Sequence, residues 1–519
     1  MISPHCGLFF GVSMDLETKL ENIIRQESEK LILRYHAYHN NLYHEHKRNE
    51  KRFGEKLEKK IEKPIYWSEN QLFNPFYTRK KAKSIAKSVI KNINNKTYSP
   101  NKPHIKKIPK ESGGFRKVTI YQIHDAAVSK LFYNSLLYKN KHRFSSFSYA
   151  YRNDRNVHFA IQDIWVDISE NSRTFIAEFD FSDFFGSISH DYLKKQYDKN
   201  GFIISDEEKF IIDKFLDVDK NDKGIPQGTS ISLFLANMVC WNLDKNLEKE
   251  GLKFARYADD TVIWSLDYEK ICNSFTIITD FSTGAGVKIN AKKSKGISLL
   301  TSKELPAELS NKTYNIDFLG YSISVDNVSI KDSSKKRIQK QISYLLYKNL
   351  IKPLKTKKLK SIIIPNRIKD ESLLIAIMQI RRYLYGGLSD IYLLNYIQGK
   401  TKRINFKGIM SFYPLVNNEA QLKELDGWLL STFYRVLKLR AKLLHSHGHH
   451  VSTFFPFNSK DKYELLEQCK KKKVFKKNLL RIPSFILIFK ALQKGILEHG
   501  IENTMNPESN KYNYESRKR

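Results

Sequence analysis

The spacing of hydrophobic and polar positions changes along the chain, and with it the predicted element. From Asp15 to about Lys63 apolar residues recur at helical spacing among charges, and HKRNEKRFGEKLEKKIEK (46–63) reads as a solvated helix. Met14 precedes this pattern, so the first thirteen residues read as a dispensable extension or a misplaced start. Residues 64–105 carry Pro64, Pro75, Pro100 and Pro103 around a short Lys-rich helix at 79–92, which predicts a connector. From 106 to 330 short strand-like runs alternate with helical ones, the mark of an α+β domain. The strands are expected at 117–121, 174–179, 253–257, 261–265 and 314–324, and an apolar helix at 230–243. Beyond 330 the pattern is helical, with amphipathic runs at 372–385, 419–444 and 477–497, and NPESNKYNYESRKR from 506 is polar enough to predict disorder.

Composition narrows the class. The chain has 519 residues, 41% hydrophobic and 28% charged, enough for two or three domains with cores of their own. No apolar run approaches the roughly 18 residues of a membrane span, and MISPHCGLFFGVS lacks the basic start of a signal peptide, so a cytoplasmic location is expected. Cys6, Cys240, Cys272 and Cys469 lack any C-x-x-C spacing, which argues against a zinc ribbon or a disulfide framework.

Charge changes the picture more. The net charge is +34, and it is unevenly distributed: residues 1–105 carry +9, residues 331–519 carry +25, and residues 106–330 balance at 30 basic and 30 acidic. A neutral centre between basic flanks suits a catalytic core held by surfaces that grip a polyanion. A generally Lys-, Asn- and Ile-rich proteome accounts for part of the excess but not for its segregation. The runs KKRIQK (335–340), KPLKTKKLK (352–360) and KKKKVFKK (470–477), with Tyr344, Tyr347 and Phe475 interleaved, predict nucleic-acid contact by charge and stacking, at Lys335, Lys336, Arg337, Lys357, Lys358, Lys471 and Lys472 among others.

The candidate chemistry lies in FARYADDTVIWS (254–265), where Asp259 and Asp260 stand together at the tip of a predicted hairpin. Two like charges repel, and a bound hard cation such as Mg²⁺ would relieve them. In TFIAEFDFSDFFGSISHDYL (174–193) a second strand runs into Asp180, which supplies a third carboxylate. Three such groups suit a two-metal site, with Asp180 and Asp259 bridging the ions and Asp260 an outer ligand, because neighbours in a strand face opposite ways. Between them KGIPQGTSIS opens on Gly224, Pro226 and Gly228, a tight loop that presents Gln227.

Asp180 with Phe185, PQG at 226–228 and YADD at 257–260, in this order, resemble the palm motifs of reverse transcriptases, most closely the bacterial group II intron-like branch. IPKESGGFRKVTI (108–120) resembles that branch's fingers motif, and FSYAYRNDRNVHFAI (147–161) the motif after it, although Tyr151 stands before Arg152 where the family has Gly. GVKINAKKSK (286–295), DFLGYSI (317–323) and the stretch 408–440 resemble the following segment, the primer-grip hairpin and the thumb. The likeness implies a right-hand polymerase: a basic helical region at 1–105, fingers and palm with an antiparallel palm sheet at 106–330, a helical thumb at 331–450, and a basic helical extension with its tail at 451–519.

It further implies that Asp180, Asp259 and Asp260 are catalytic and hold two Mg²⁺ ions, with Mn²⁺ as a substitute. Lys110, Arg116 and Lys293 would meet the triphosphate, Phe181 and Phe185 the nucleotide, Gln227 the templating pair, Phe318, Leu319 and Gly320 the primer, and Arg152 nucleic acid. Phe185 would exclude a ribose 2′-hydroxyl, so the expected reaction is RNA-directed DNA synthesis from dNTPs. An RNA-dependent RNA polymerase and a non-catalytic RNA-binding scaffold are the competing readings. No zinc-binding cluster follows the thumb motif and no spaced acidic set follows 330, so neither an HNH endonuclease nor an RNase H domain is expected. A basic stand-alone chain of this kind is similar to the defence-associated and abortive-infection reverse transcriptases. That likeness implies a non-coding RNA template, a cDNA product, a role against phage and a homo-oligomer, with Tyr512 and Tyr514 as candidate protein-priming hydroxyls. HSHGHH (445–450) reads as a surface loop.

Overall fold

The computed structural model describes residues 15–53, 62–109, 114–219, 221–306, 309–355, 371–474 and 476–504. The readings made for the N-terminal extension, for Lys110, Lys357, Lys358 and Phe475, and for the tail with Tyr512 and Tyr514 fall outside these residues.

Among the described residues twelve strands form in chain order: β1 (His104–Pro109), β2 (Phe115–Ile120), β3 (Arg173–Phe179), β4 (Phe181–Ser182), β5 (Lys253–Tyr257), β6 (Asp260–Ser265), β7 (Lys288–Ile289), β8 (Gly296–Thr301), β9 (Lys312–Thr313), β10 (Ile316–Phe318), β11 (Tyr321–Ile323) and β12 (Val328–Ile330). The central sheet runs β5-β6-β3-β8-β9, antiparallel except for the short β8–β9 edge. Its strands are apolar on both sides because both faces are covered. Ile176, Val262 and Ala255 pack with Ile161, Ile164 and Ile168 of the helix Val157–Ser169, whereas Ala177, Ile263 and Phe254 pack with Leu247, Ile271 and Ile278 of the helices Trp241–Lys249 and Tyr268–Ala285. Neighbours within a strand face opposite cores, as the two-residue pleat requires.

The second of these cores takes in the N-terminal region, where Leu20 and Ile24 of the helix Leu16–Phe53 meet Ala86 and Ile90 of the helix Ala82–Asn94. The first continues into the C-terminal half, where the helices Asp332–Leu346, Glu371–Tyr385, Glu419–Ser446 and Phe485–Thr504 bury one contiguous apolar set. Val451, Phe455, Leu465 and Leu480 belong to that same set. Among the described residues no strand follows Ile330.

Several boundaries differ from expectation for local reasons. The single strand expected over 314–324 is two, β10 and β11, folded back at Leu319 and Gly320, whose φ angles are +48° and +90°. The apolar run 230–243 divides at Cys240 into the helices Ile231–Val239 and Trp241–Lys249. The last helix begins at Phe485, beyond Pro483, whose ring keeps the preceding residue from helical geometry. Strand β8, GISLLT, escapes sequence reading because, with both faces covered, its residues do not alternate in polarity.

Candidate active site

The central sheet brings the three aspartates to one end. Phe179 pairs with Thr261, so the next residue on each side, Asp180 and Asp260, continues the same register. Tyr257 pairs with Asp260, which leaves Ala258 and Asp259 as a two-residue turn. Ala258 has φ +62°, a conformation that favours glycine, so the turn stands only because its surroundings hold it.

The holder is Arg256, a residue that sequence reading passed over. Its guanidinium is fully buried and donates to both oxygens of Asp244 at 2.6 Å, to Ser148 Oγ at 2.8 Å, to Asn237 Oδ1 at 3.3 Å and to the Ala258 carbonyl at 3.0 Å. One planar fork therefore ties the Ala258–Asp259 turn to the helix behind it and to the 147–149 segment, which also bonds Arg256 through its backbone. Burial pushes the Asp244 carboxyl above its ordinary value, against the opposing pull of the bidentate Arg256 guanidinium. The sequence signal was there: a lone Arg inside an apolar strand predicts a buried partner.

Asp180 is clamped by the 290–294 segment. Its backbone bonds Asn290 N at 2.8 Å and Ser294 Oγ at 3.1 Å, and its carboxylate accepts from Asn290 Nδ2 at 3.0 Å and Lys293 Nζ at 3.0 Å. Lys293, expected on the triphosphate or primer side, pairs here with the Asp180 carboxylate. Asp260 reaches water at the start of β6, yet its carboxyl is pushed up to about 6, by burial first and then by the charges of Asp259 and Asp180. The three carboxylates thus crowd one another electrostatically. They are not drawn into a closed cage: among the described residues no three His, Cys, Asp or Glu side chains are gathered as metal ligands, the 445–450 histidines included. An oxygen-only donor set under mutual repulsion fits a hard divalent cation.

The surrounding motifs converge on this end. The loop with Gln227 is bonded to the Asp183 turn: Ile225 N donates to Phe185 O at 2.6 Å, and Gly224 N to Ile188 O at 2.7 Å. Gly228, at φ +116°, lies so close to β2 that a Cβ would stand 2.2 Å from Thr119 O, so the β1–β2 ribbon rests on this loop. Gln227 is half-buried in it. Phe185 is half-buried, its ring 6.5 Å from that of Tyr151 and 5.7 Å from that of Phe184. Arg116 lies on β2 opposite Ile108.

Other readings need correction. Phe181 is buried against Phe184 and Phe281, so only its backbone can face a nucleotide. Arg152, expected to contact nucleic acid, has a covered side chain that donates to Asp154 at 2.7 Å and to the Ser145 carbonyl at 2.6 Å. In the β10–β11 hairpin Phe318 is buried, whereas Leu319 and Gly320 form the half-buried turn, beside Tyr413. Lys336 and Arg337 are exposed on the helix Asp332–Leu346; Lys336 pairs with Asp332 at 2.8 Å, Lys335 lies 3.6 Å from the same carboxylate, and Arg337 reaches Ser334 Oγ. Lys471 is exposed, and Lys472 lies 4.7 Å from the centre of the Phe455 ring.

Residues 108–323 match the family described as reverse transcriptase (RNA-dependent DNA polymerase). Solved structures similar to the chain include the telomerase of Candida albicans with a fragment of telomeric RNA (11% identity, 78% of this chain and 70% of that one, TM-score 0.34). The apo telomerase of Candida tropicalis is another (12% identity, 82% and 72%, TM-score 0.36). A form of the latter truncated from its C-terminal domain matches at 15% identity over 48% of this chain and 60% of that one, TM-score 0.32. No curated protein matches the chain.

Proposed function

On the premise that residues 108–323 form a reverse-transcriptase-type nucleotidyltransferase domain, we propose that the protein is an RNA-directed DNA polymerase that copies an RNA template from dNTPs. The observation that carries this reading is the register that sets Asp180 beside the Asp259–Asp260 turn, with the carboxylates crowded enough to raise Asp260. Asp180, Asp259 and Asp260 would hold Mg²⁺, which when bound supplies charge for the attacking and leaving oxygens of phosphoryl transfer.

The remaining work falls to the chain. Lys293, already on a flexible exposed stem beside Asp180, would pass to the triphosphate once the carboxylate is neutralised, and Lys110 and Arg116 would meet the same phosphates from the fingers. Phe185 would stand against the sugar, Gln227 against the templating pair, and the Leu319–Gly320 turn against the primer. The basic flanks would hold the nucleic acid by sequence-independent contacts. At a finer grain we read the enzyme as a stand-alone defence-associated reverse transcriptase acting in the cytoplasm on a non-coding RNA, with an antiphage role. This rests on its likeness to those chains and on the segregated charge. That no helix among the described residues is long and apolar enough to cross a membrane accords with it.

Primer extension on an RNA template tests the reaction. Extension with dNTPs that needs Mg²⁺ and stops with chelator supports it. Equal or better use of rNTPs points to an RNA polymerase, and no incorporation under any metal points to a scaffold.

A further inference from the structure

Beside Phe185 stands a residue in an unusual conformation. Tyr151 has φ +59°, in the left-handed region that bulky side chains avoid because Cβ crowds the carbonyl. Glycine would adopt it freely, yet the chain places a large ring there. The conformation is held from several sides. The Tyr133 hydroxyl donates to the Tyr151 carbonyl at 2.9 Å, and Asn237 Nδ2 to the carbonyl of Ala150 at 2.8 Å. On the other side Arg152 is fastened to the Ser145 carbonyl and to Asp154.

The consequence is a row of three rings. Tyr151 meets Phe185 edge-on at 75°, and Phe185 meets Phe184 at 86°. Phe184 is buried and abuts Phe181, so that end of the row is anchored in the core. Phe185 itself sits on the four-residue helix Phe184–Ser187 and is only partly covered. Without Tyr151 its ring would lose its neighbour on one side and gain room to turn about χ1 and χ2.

We propose that Tyr151 is a positioning residue that fixes the Phe185 ring and thereby sets how strongly the enzyme discriminates between deoxyribo- and ribonucleoside triphosphates. The proposal rests on the reading of Phe185 as the residue that faces the sugar. Backbone strain retained beside a reactive centre is the pattern expected where geometry matters more than stability.

The test compares kcat/KM for dNTP and rNTP in wild type, Tyr151→Gly, Tyr151→Asn, Tyr151→Phe and Phe185→Ala, with melting temperatures as a check on folding. Gly and Asn both tolerate positive φ, so at least one of those two variants keeps the backbone as it is. Loss of one aromatic contact predicts a fall in discrimination of about two- to tenfold in Tyr151→Gly and Tyr151→Asn, carried by a lower KM for rNTP, while Tyr151→Phe stays near wild type. Phe185→Ala must fall further. If Phe185→Ala leaves discrimination unchanged, the sugar-facing reading fails and the proposal with it. If Phe185→Ala falls but folded Tyr151→Gly and Tyr151→Asn keep wild-type discrimination, or lose dNTP and rNTP turnover equally, the proposal alone is overturned.

Discussion

Removing the Arg256 guanidinium should separate stability from catalysis in a way that few substitutions at a polymerase centre can. In Arg256→Met the buried Asp244 carboxylate loses its bidentate partner and the Ala258 carbonyl loses its donor. Breaking a buried ion pair by taking away one member costs about 3–5 kcal/mol, mostly because a charge is left unpaired in the interior. The double variant Arg256→Met/Asp244→Leu removes both charges, so a large part of that loss should return, since apolar replacements of a buried pair are often near neutral. Activity should not return with it, because the strained turn at Ala258 stays unheld. The assay is urea unfolding of the three proteins, reading midpoint and slope, beside primer extension at matched folded concentration. An Arg256→Met protein within about 0.5 kcal/mol of wild type, the range of ordinary surface changes, would refute the energetic argument. A double variant with full activity would refute the positioning argument.

Three further outcomes follow from the geometry. Asp260 is held near 6 in the folded chain and lies lower when unfolded, so its proton is retained by the folded state as pH falls between those values. Its contribution to stability therefore rises as pH drops through about 6, while activity, which needs the carboxylate, falls; saturating Mg²⁺ should move the acid limb of the rate profile to lower pH, and a limb insensitive to both metal and Asp260→Asn contradicts the assignment. In Gly228→Ala the new Cβ meets the Thr119 carbonyl in a backbone region closed to alanine, and a loss of about 1–3 kcal/mol with reduced extension is expected in thermal melts and kinetics; a neutral variant means the loop and the β1–β2 ribbon are not in contact. Asp426 accepts from Ser484 Oγ and Phe485 N at 2.6 Å each and so caps the helix Phe485–Thr504 from a distant helix. Asp426→Ala should cost about 0.5–2 kcal/mol and speed amide exchange in that helix selectively, whereas uniform protection contradicts the capping role.

The carboxylate end of the sheet was legible because chemistry there is written in local motifs: an apolar strand into Asp180, and a paired acid at a hairpin tip. Strand β5 was read with its observed limits, since Pro-free apolar runs between turn signals leave little choice. What stayed hidden depends on residues far apart in sequence. Arg256 finds Asp244 on a helix and Ser148 on a loop 108 residues away, and nothing in FARYADD names either partner. Lys293 and Arg152 were assigned from the motifs they resemble, and a motif does not say whether a cation faces solvent or is paired with a nearby carboxylate. Phe181 and Phe185 look alike in sequence, and only packing sends the first into the core and leaves the second at the cleft. Tyr151 was visible as a departure from the family pattern, but its meaning needed the positive φ and the ring beside it.

If Asp180 and the Asp259–Asp260 turn carry templated synthesis of DNA on RNA, that synthesis depends on Asp259. The direct measurement is dNTP incorporation on a primed RNA template by wild type and Asp259→Ala, with RNA affinity measured on the same preparations. Mg²⁺-dependent synthesis is expected from wild type, none from Asp259→Ala, and RNA binding within a few-fold in both, because the substitution removes no basic side chain. Full synthesis by Asp259→Ala would contradict it.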